Sequence, residues 1–432
     1  MGTIPRLACE SVLTAELLLE DMTAPELARA ALVDSVLPEL AARAAEADRD
    51  AVFPPGHVEL LGRSGLLGLI VPEAYGGLGG GLRDLTAAAF AMGTVCPSTA
   101  LSFFFHCSSA SRGLLPIEAL DQGLFAETDA PVVQAFAEKV LRSMAAGSWL
   151  ANFASESGKT EGANITIGTE AIAVDGGWSL SGVKSFGCAT GVADRYLVTA
   201  KRADINGIDG LCLFLVDRDA PGVSERQRWN GLGMRATANH GIVLDNVFVA
   251  ADDALALPGS FITMTKVSRG TFVGNQLAVG AIYLGAAQSV YNYTLNHLQT
   301  MKFGDTGAPI GSAPMHQQFI GEMTRDLTEG FLWLRRQLWL EATEPRPSSK
   351  AEEVKSWRMA KGAICEAAYR VGTTALKACG TSSASMDGVI GRGLRDLSMG
   401  LVQAFPAEKG LLEVAGIVFG AQRSSEFGSK KP

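Results

Sequence analysis

The chain of 432 residues has no apolar run of the roughly 18 residues that a membrane-spanning helix needs. The longest candidate, around Leu277 to Tyr291, is interrupted by Gln288 and Ser289. No basic stretch near the N-terminus leads into an apolar core, so no secretory signal is expected. Cysteine is sparse: seven residues, scattered, with no C-x-x-C pair. That argues against a disulfide framework and a thiolate metal site, and the expected compartment is a reducing cytoplasm. The five histidines, His57, His106, His240, His297 and His316, show no zinc-ligand spacing, so no metal is expected. Charged residues make up only 19% and the net charge is −8, a surface that repels polyanions and excludes nucleic acid as a partner. An anionic substrate would need a local basic pocket.

What is present is apolar. Hydrophobic residues are 47% of the chain, enough for large buried cores, and a length of 432 suggests two or three domains at roughly 150 residues each. Three zones follow. Residues 1–148 read as an N-terminal helical domain: Leu27, Ala30, Leu32, Val36 and Leu40 recur at helical spacing, with Pro54-Pro55 and the Gly76 to Gly81 run as loops. Residues 149–257 change period. Ala171 to Val174, then Asp175-Gly176-Gly177, then Trp178 to Leu180 reads as strand, tight turn, strand. Arg195 to Ala200, Leu211 to Val216 and Gly241 to Val249 add strands, giving a central antiparallel β-barrel domain. Residues 258–424 return to helix, with an Ala/Gly-rich stretch from Leu277 to Gln299 and amphipathic runs from Phe331 to Leu340 and Trp357 to Leu376, and they read as a helical bundle. The polar end, 425–432, is set aside as a tail. The expected class is α+β.

Local motifs fall in a consistent order through these zones. Val71-Pro72-Glu73-Ala74-Tyr75-Gly76-Gly77-Leu78-Gly79 is followed by Ala154-Ser155-Glu156-Ser157-Gly158, then by Leu180-Ser181-Gly182-Val183-Lys184-Ser185-Phe186-Gly187-Cys188. Leu232-Gly233-Met234-Arg235, Asp245-Asn246-Val247, Lys302-Phe303-Gly304 and Arg395-Asp396 complete the series. Together they resemble the acyl-CoA dehydrogenase superfamily over nearly the whole chain, a flavoprotein fold also used by reduced-flavin-dependent monooxygenases.

The resemblance implies a flavin, FAD, with FMN or a reduced flavin as the variant. It implies that Ser155 offers a hydroxyl to the ring, that Phe186 takes the family's stacking Trp position, and that Gly187 and Cys188 supply backbone groups to the ring edge. Phe153, Thr160, Thr300 and Gly380 complete the implied cofactor set, Thr160 within a Gly158 to Gly162 loop suited to phosphate. The implied partners are a homodimer or homotetramer and an electron-transfer flavoprotein or a flavin reductase. His106, after Phe103-Phe104-Phe105, reads first as core. In some flavin monooxygenases of this fold a histidine of this helix lies near the flavin, which gives it a second reading.

The sequence also departs from the family. Desaturating members carry a Glu about nine residues after the Arg of the R-D pair, and here that position is Ala404; Gln403 beside it is no base either. The alternative base region reads Val273-Gly274-Asn275-Gln276, without a carboxylate, and the Arg that clamps cofactor phosphate before F-G appears here as Thr300 or Lys302, an ungapped count giving Thr300. Glu408 is the nearest carboxylate. Three functions follow: oxidation of an acyl thioester, on coenzyme A or a carrier protein, with Glu408 as the base; a reduced-flavin monooxygenase hydroxylating carbon or nitrogen; or a non-catalytic binding relative.

Overall fold

A computed structural model describes residues 22–158, 166–268, 277–403 and 406–420. Thr160, Val273 to Gln276, Ala404 and the 425–432 tail lie outside the described residues.

The chain opens with α1 (Ala24–Asp50), started by a capping box in which Thr23 N–H donates to Glu26 at 2.7 Å. Then come α2 (Pro55–Arg63), α3 (Leu82–Gly93), α4 (Pro97–Ser109), α5 (Ser111–Asp121) and α6 (Ala130–Ala145). Between α2 and α3, Gly76 and Gly79 adopt positive φ, so the glycine run is a tight turn rather than a dinucleotide loop. The strands are β1 (Leu150–Phe153), β2 (Glu170–Val174), β3 (Gly177–Lys184), β4 (Arg195–Arg202), β5 (Leu211–Asp217), β6 (Val223–Glu225), β7 (Ile242–Ala250) and β8 (Ala254–Leu255). They run in the order β6-β7-β3-β2-β4-β5-β8, with β1 added onto β4.

The expected sheet is antiparallel, and most of it is. The β1–β4 and β2–β4 pairings, however, are parallel. The physical reason is connection length: β1 and β2 both reach β4 by long excursions, which parallel pairing requires and a two-residue hairpin cannot supply. The predicted tight turn joins β2 to β3 at Val174 and Gly177.

The C-terminal helices are α7 (Ser260–Val267), α8 (Leu277–Thr300), α9 (Pro314–Ala342), α10 (Lys350–Cys379), α11 (Val389–Gly400) and α12 (Ala407–Val418). α8 is the centre of this layer. Its small residues let neighbours close in: the backbone at Gly285 meets the Phe90 carbonyl of α3, and Gly280 faces Ile364 of α10. The small residues of α8 are therefore taken up by packing within the chain. Among the apolar side chains left exposed are Leu332 and Trp339 on α9, Leu411 and Leu412 on α12, and Phe419 just past its end. Among the described residues no helix is long and apolar enough to cross a membrane, and no cluster of three metal-ligating side chains occurs.

Candidate functional site

Two loops leave the sheet side by side, one after β1 and one after β3. The Ser185 N–H donates to the Ser155 carbonyl at 2.8 Å, which joins them. Beneath them lies a charge pair. Lys184 ends β3 fully buried, with Nζ 2.6 Å from Glu156 Oε1 and 2.5 Å from the Thr199 carbonyl oxygen. Glu156 also accepts from Gly168 N–H at 2.5 Å, Thr169 N–H at 3.1 Å and the Thr169 hydroxyl at 2.6 Å. Burial raises the Glu156 carboxyl, but Lys184 and these donors outweigh it and hold the group below its ordinary range. Burial lowers the Lys184 ammonium to about 8, against the pull of Glu156. Both residues were legible as motif letters. That they form the lock between the two loops was not, because the pairing is made across the sheet.

Above this lock are the ring-binding candidates. Ser155 is half-buried, and its hydroxyl has no partner among the described residues. Phe186 is 47% exposed and meets Trp229 edge-to-face, with centroids 6.1 Å apart. Trp229 was not anticipated; it comes from a segment with no motif. Asn152, on β1, was also missed: its Oδ1 is buried with no hydrogen-bond partner. Phe153 is fully buried and packs edge-to-face on Tyr196, with centroids 4.8 Å apart. Its ring lies so close to Gly187 that a Cβ there would overlap it, so Gly187 is required by contact with Phe153. Phe153 thus shapes the loop from below.

The β3–β4 loop is then pinned from outside the sheet. Ala189 N–H and Thr190 N–H donate to the Thr237 and Ala238 carbonyls at 2.9 and 3.0 Å, and Thr190 Oγ1 donates to the Gly187 carbonyl at 2.7 Å. Cys188 is buried, and burial pushes its thiol pKa up to about 12, against a smaller pull from the neighbouring Ser102 of α4, so it stays protonated.

His106 sits on α4 with no exposure. Its Nδ1 accepts the Leu150 N–H at 2.9 Å, and Nε2 lies 2.8 Å from the Leu67 carbonyl oxygen. With one nitrogen accepting and the other donating, the ring is a neutral imidazole that joins α4 to β1. Burial takes its pKa down to about 4. Both nitrogens are committed to backbone, which favours the core reading over a place beside a cofactor.

The family's base position follows α11. Here Tyr283, fully buried on α8, donates its hydroxyl to Gln403 Oε1. Burial, chiefly, lifts the phenol pKa well above its ordinary value, with smaller contributions from the nearby Cys365, Asp396 and Cys188, so it is a donor and not a base. Gln403 is half-buried. Lys361 of α10 donates to the Gly400 carbonyl at 2.9 Å and holds the same turn. Asp396 is a buried carboxylate near Tyr283, raised to about 6 by burial, but its Oδ1 accepts the Met234 N–H at 2.6 Å and anchors the 231–238 segment. Arg395 forks onto Asp48 of α1, with one arm at 3.0 Å. Glu408, in the first turn of α12, is exposed, and its charge is felt at Lys361. Thr300 and Gly380 lie at the exposed ends of α8 and α10, where Thr300 Oγ1 donates to the Asn296 carbonyl at 2.7 Å. Neither hydrogen-bonds to the described residues of the paired loops.

Three acyl-CoA dehydrogenase profiles match the chain: the N-terminal domain over residues 24–116, the middle domain over 151–247 and the C-terminal domain over 277–405. L-evernosamine nitrososynthase of Micromonospora sp. is 34% identical over 60% of this chain and 58% of its own length, so the match spans less than two thirds of that relative. Cyclohex-1-ene-1-carbonyl-CoA dehydrogenase of Geobacter metallireducens is 26% identical over 84% of this chain and 89% of its own. KijD3, solved with FMN and a dTDP-amino-keto sugar, superposes with a TM-score of 0.77 at 23% identity, covering 95% of this chain and 97% of KijD3.

Proposed function

Because this chain belongs to the acyl-CoA dehydrogenase family, we propose that it binds a flavin beside the Ser155 and Phe186 loops and uses it with oxygen, as a reduced-flavin-dependent monooxygenase acting on carbon or nitrogen. One observation carries the choice over thioester desaturation. The turn after α11, where desaturating relatives carry their base, presents Gln403 held by Tyr283, while Glu408 stands exposed on α12. Abstracting a proton beside a thioester needs a carboxylate within reach, and an amide cannot do it.

The residues present fit a flavin. The orphaned Asn152 Oδ1 can accept from a ring N–H, the free Ser155 hydroxyl can meet a ring heteroatom, and the open Phe186–Trp229 pair offers an aromatic wall. When bound, the flavin supplies two-electron redox chemistry and, with oxygen, transfer of an oxygen atom. This chain's own side chains then orient and exclude water. The Glu156–Lys184 pair fixes the loops. The Cys188 thiol stays protonated and lines the site without acting as a nucleophile. Tyr283 holds the Gln403 oxygen, so the amide N–H groups are the donors left to a substrate.

Thr300, in place of a phosphate-clamping Arg, favours FMN over FAD, and KijD3 was solved with FMN. Likeness to an amino-sugar nitrososynthase favours nitrogen as the atom oxidised and a flavin reductase as the partner. The protein is tested with NAD(P)H, a flavin reductase and FMN or FAD, over a panel of amino sugars and simple amines. Amine-dependent oxygen uptake with a product heavier by one oxygen supports the reading. Oxygen uptake that no amino sugar or amine stimulates, together with turnover of acyl thioesters, rejects it.

A further inference from the structure

Five Lys or Arg residues are buried among the described residues: Arg112, Lys184, Arg358, Lys361 and Arg395. Four have partners. Lys184 meets Glu156 at 2.6 Å, Arg358 meets Glu413 at 2.6 Å, Lys361 donates to the Gly400 carbonyl at 2.9 Å, and Arg395 forks onto Asp48. Arg112 has no ion pair and no hydrogen bond among the described residues. It is the second residue of α5 and is 9% exposed. Its Nε is shut off from solvent without an acceptor.

The guanidinium lies over the Phe261 ring of α7, with its carbon 5.6 Å from the centroid. A ring face offers attraction but takes none of the five N–H groups in the fork, and carries no countercharge. The hydroxyls next to it in sequence are already used: Ser108 donates to the Phe105 carbonyl at 2.8 Å, and Ser111 donates to the Ser108 carbonyl at 2.5 Å. Burial alone, with no carboxylate in range to oppose it, moves the Arg112 pKa down to about 10, so the group still carries its charge at neutral pH. A buried cation without a partner is unfavourable, and an apolar side chain of similar length would fill the same space without that cost. The charge therefore calls for an anion that the described residues do not supply.

We infer that Arg112 is an anion-binding site between α5 and α7 whose ligand is a small oxyanion, a carboxylate or a phosphate group. The planar fork suits either through two parallel N–H···O bonds. This site does not depend on the oxygen-dependent reading of the flavin cleft.

The full-length protein is titrated with inorganic phosphate and with acetate, each against sodium chloride at equal ionic strength. Thermal unfolding is followed, and phosphorus NMR reads the line width of the added phosphate. The expected result is a Tm higher by about 2–4 °C at saturating anion, with line broadening if phosphate binds. Arg112→Met removes these responses and, in chloride, unfolds at the same temperature or higher, because the unpaired charge is gone. Arg112→Lys keeps the charge but not the fork and responds more weakly. A response to acetate alone makes this a carboxylate site, and a response to phosphate alone makes it a phosphate site. No response of the wild type to either anion overturns the inference, as does an unchanged response in Arg112→Met. The wild-type titrations decide the matter even where a variant fails to fold.

Discussion

The Tyr283 hydroxyl donates to the side-chain oxygen of Gln403, tying the second turn of α8 to the turn that follows α11. This bond joins two helices at the place where the family's desaturases put their base. Lys361 holds the same turn through the Gly400 carbonyl. A phenol that burial keeps protonated, bonded to an amide, makes a donor surface there, where desaturation would need a base.

The first consequence concerns Glu408. It is exposed on α12, outside the buried junction of Tyr283, Cys188 and Asp396. Glu408→Gln is expected to leave flavin binding and oxygen-dependent turnover within about twofold of wild type, whereas loss of a true general base costs about 10²–10⁴ in rate. Steady-state oxygen uptake measures this. A collapse of activity with flavin binding intact would return Glu408 to the chemistry.

The lock under the paired loops gives the second. Lys184→Met leaves Glu156 facing Gly168 and Thr169 without its cation, and breaking a buried pair from one side costs about 3–5 kcal/mol. Urea unfolding should show that loss, and titration with FMN or FAD should show weakened binding. Adding Glu156→Gln to Lys184→Met should recover part of the stability, since no charge is then left unpaired. A Lys184→Met protein as stable as wild type, with undiminished flavin affinity, would separate the lock from the site.

The third concerns acid. In the folded protein the His106 pKa lies near 4, against about 6.5 unfolded. Between those values the unfolded chain binds a proton that the native ring refuses. The stability linked to His106 is therefore complete above about pH 6.5 and is lost as pH falls toward 4, by up to about 3 kcal/mol. His57, lowered to about 4 by burial, acts in the same direction. Urea midpoints at pH 7 and pH 5 should differ in this sense, with a smaller difference in His106→Gln. Ring-nitrogen NMR should find His106 neutral at pH 6; a protonated ring there contradicts the bonding described.

Subunit association gives the fourth. The open apolar residues on α9, on α12 and just past its end, among them Leu412 at 73% and Phe419 at 86% exposed, form surface that a monomer leaves in water. Light scattering is expected to find a homodimer or homotetramer, and Leu412→Lys with Phe419→Lys is expected to shift it toward the 45.3 kDa monomer. A wild type that is monomeric at micromolar concentration would remove this surface from the account.

The fold was legible because its signals are local. Helical spacing from Leu27 to Leu40, the Gly176-Gly177 turn and the ordered motifs each report on neighbours in sequence. The parallel pairings of β4 were hidden, since nothing in a strand's own residues states which edge it joins. Among the candidate site residues, Ser155 and Phe186 could be singled out by position within motifs. Asn152, Trp229 and Tyr283 could not: an orphaned amide, an edge-on ring and a phenol 120 residues from its partner are products of packing. The small residues of α8 meet α3 and α10, partners that the sequence of α8 alone does not name.

With Gln403 and Tyr283 at the family's base position, this site is expected not to desaturate acyl thioesters. The direct measurement is anaerobic rapid mixing of the flavin-loaded protein with a series of straight-chain acyl-CoAs while the visible flavin band is recorded. The band is expected to persist through the time in which a competent dehydrogenase turns over many times, and the reduced protein is expected to consume oxygen in the presence of an amine. Rapid bleaching by a simple acyl-CoA would contradict the account, because it would require a base that Gln403, Tyr283 and the exposed Glu408 do not provide.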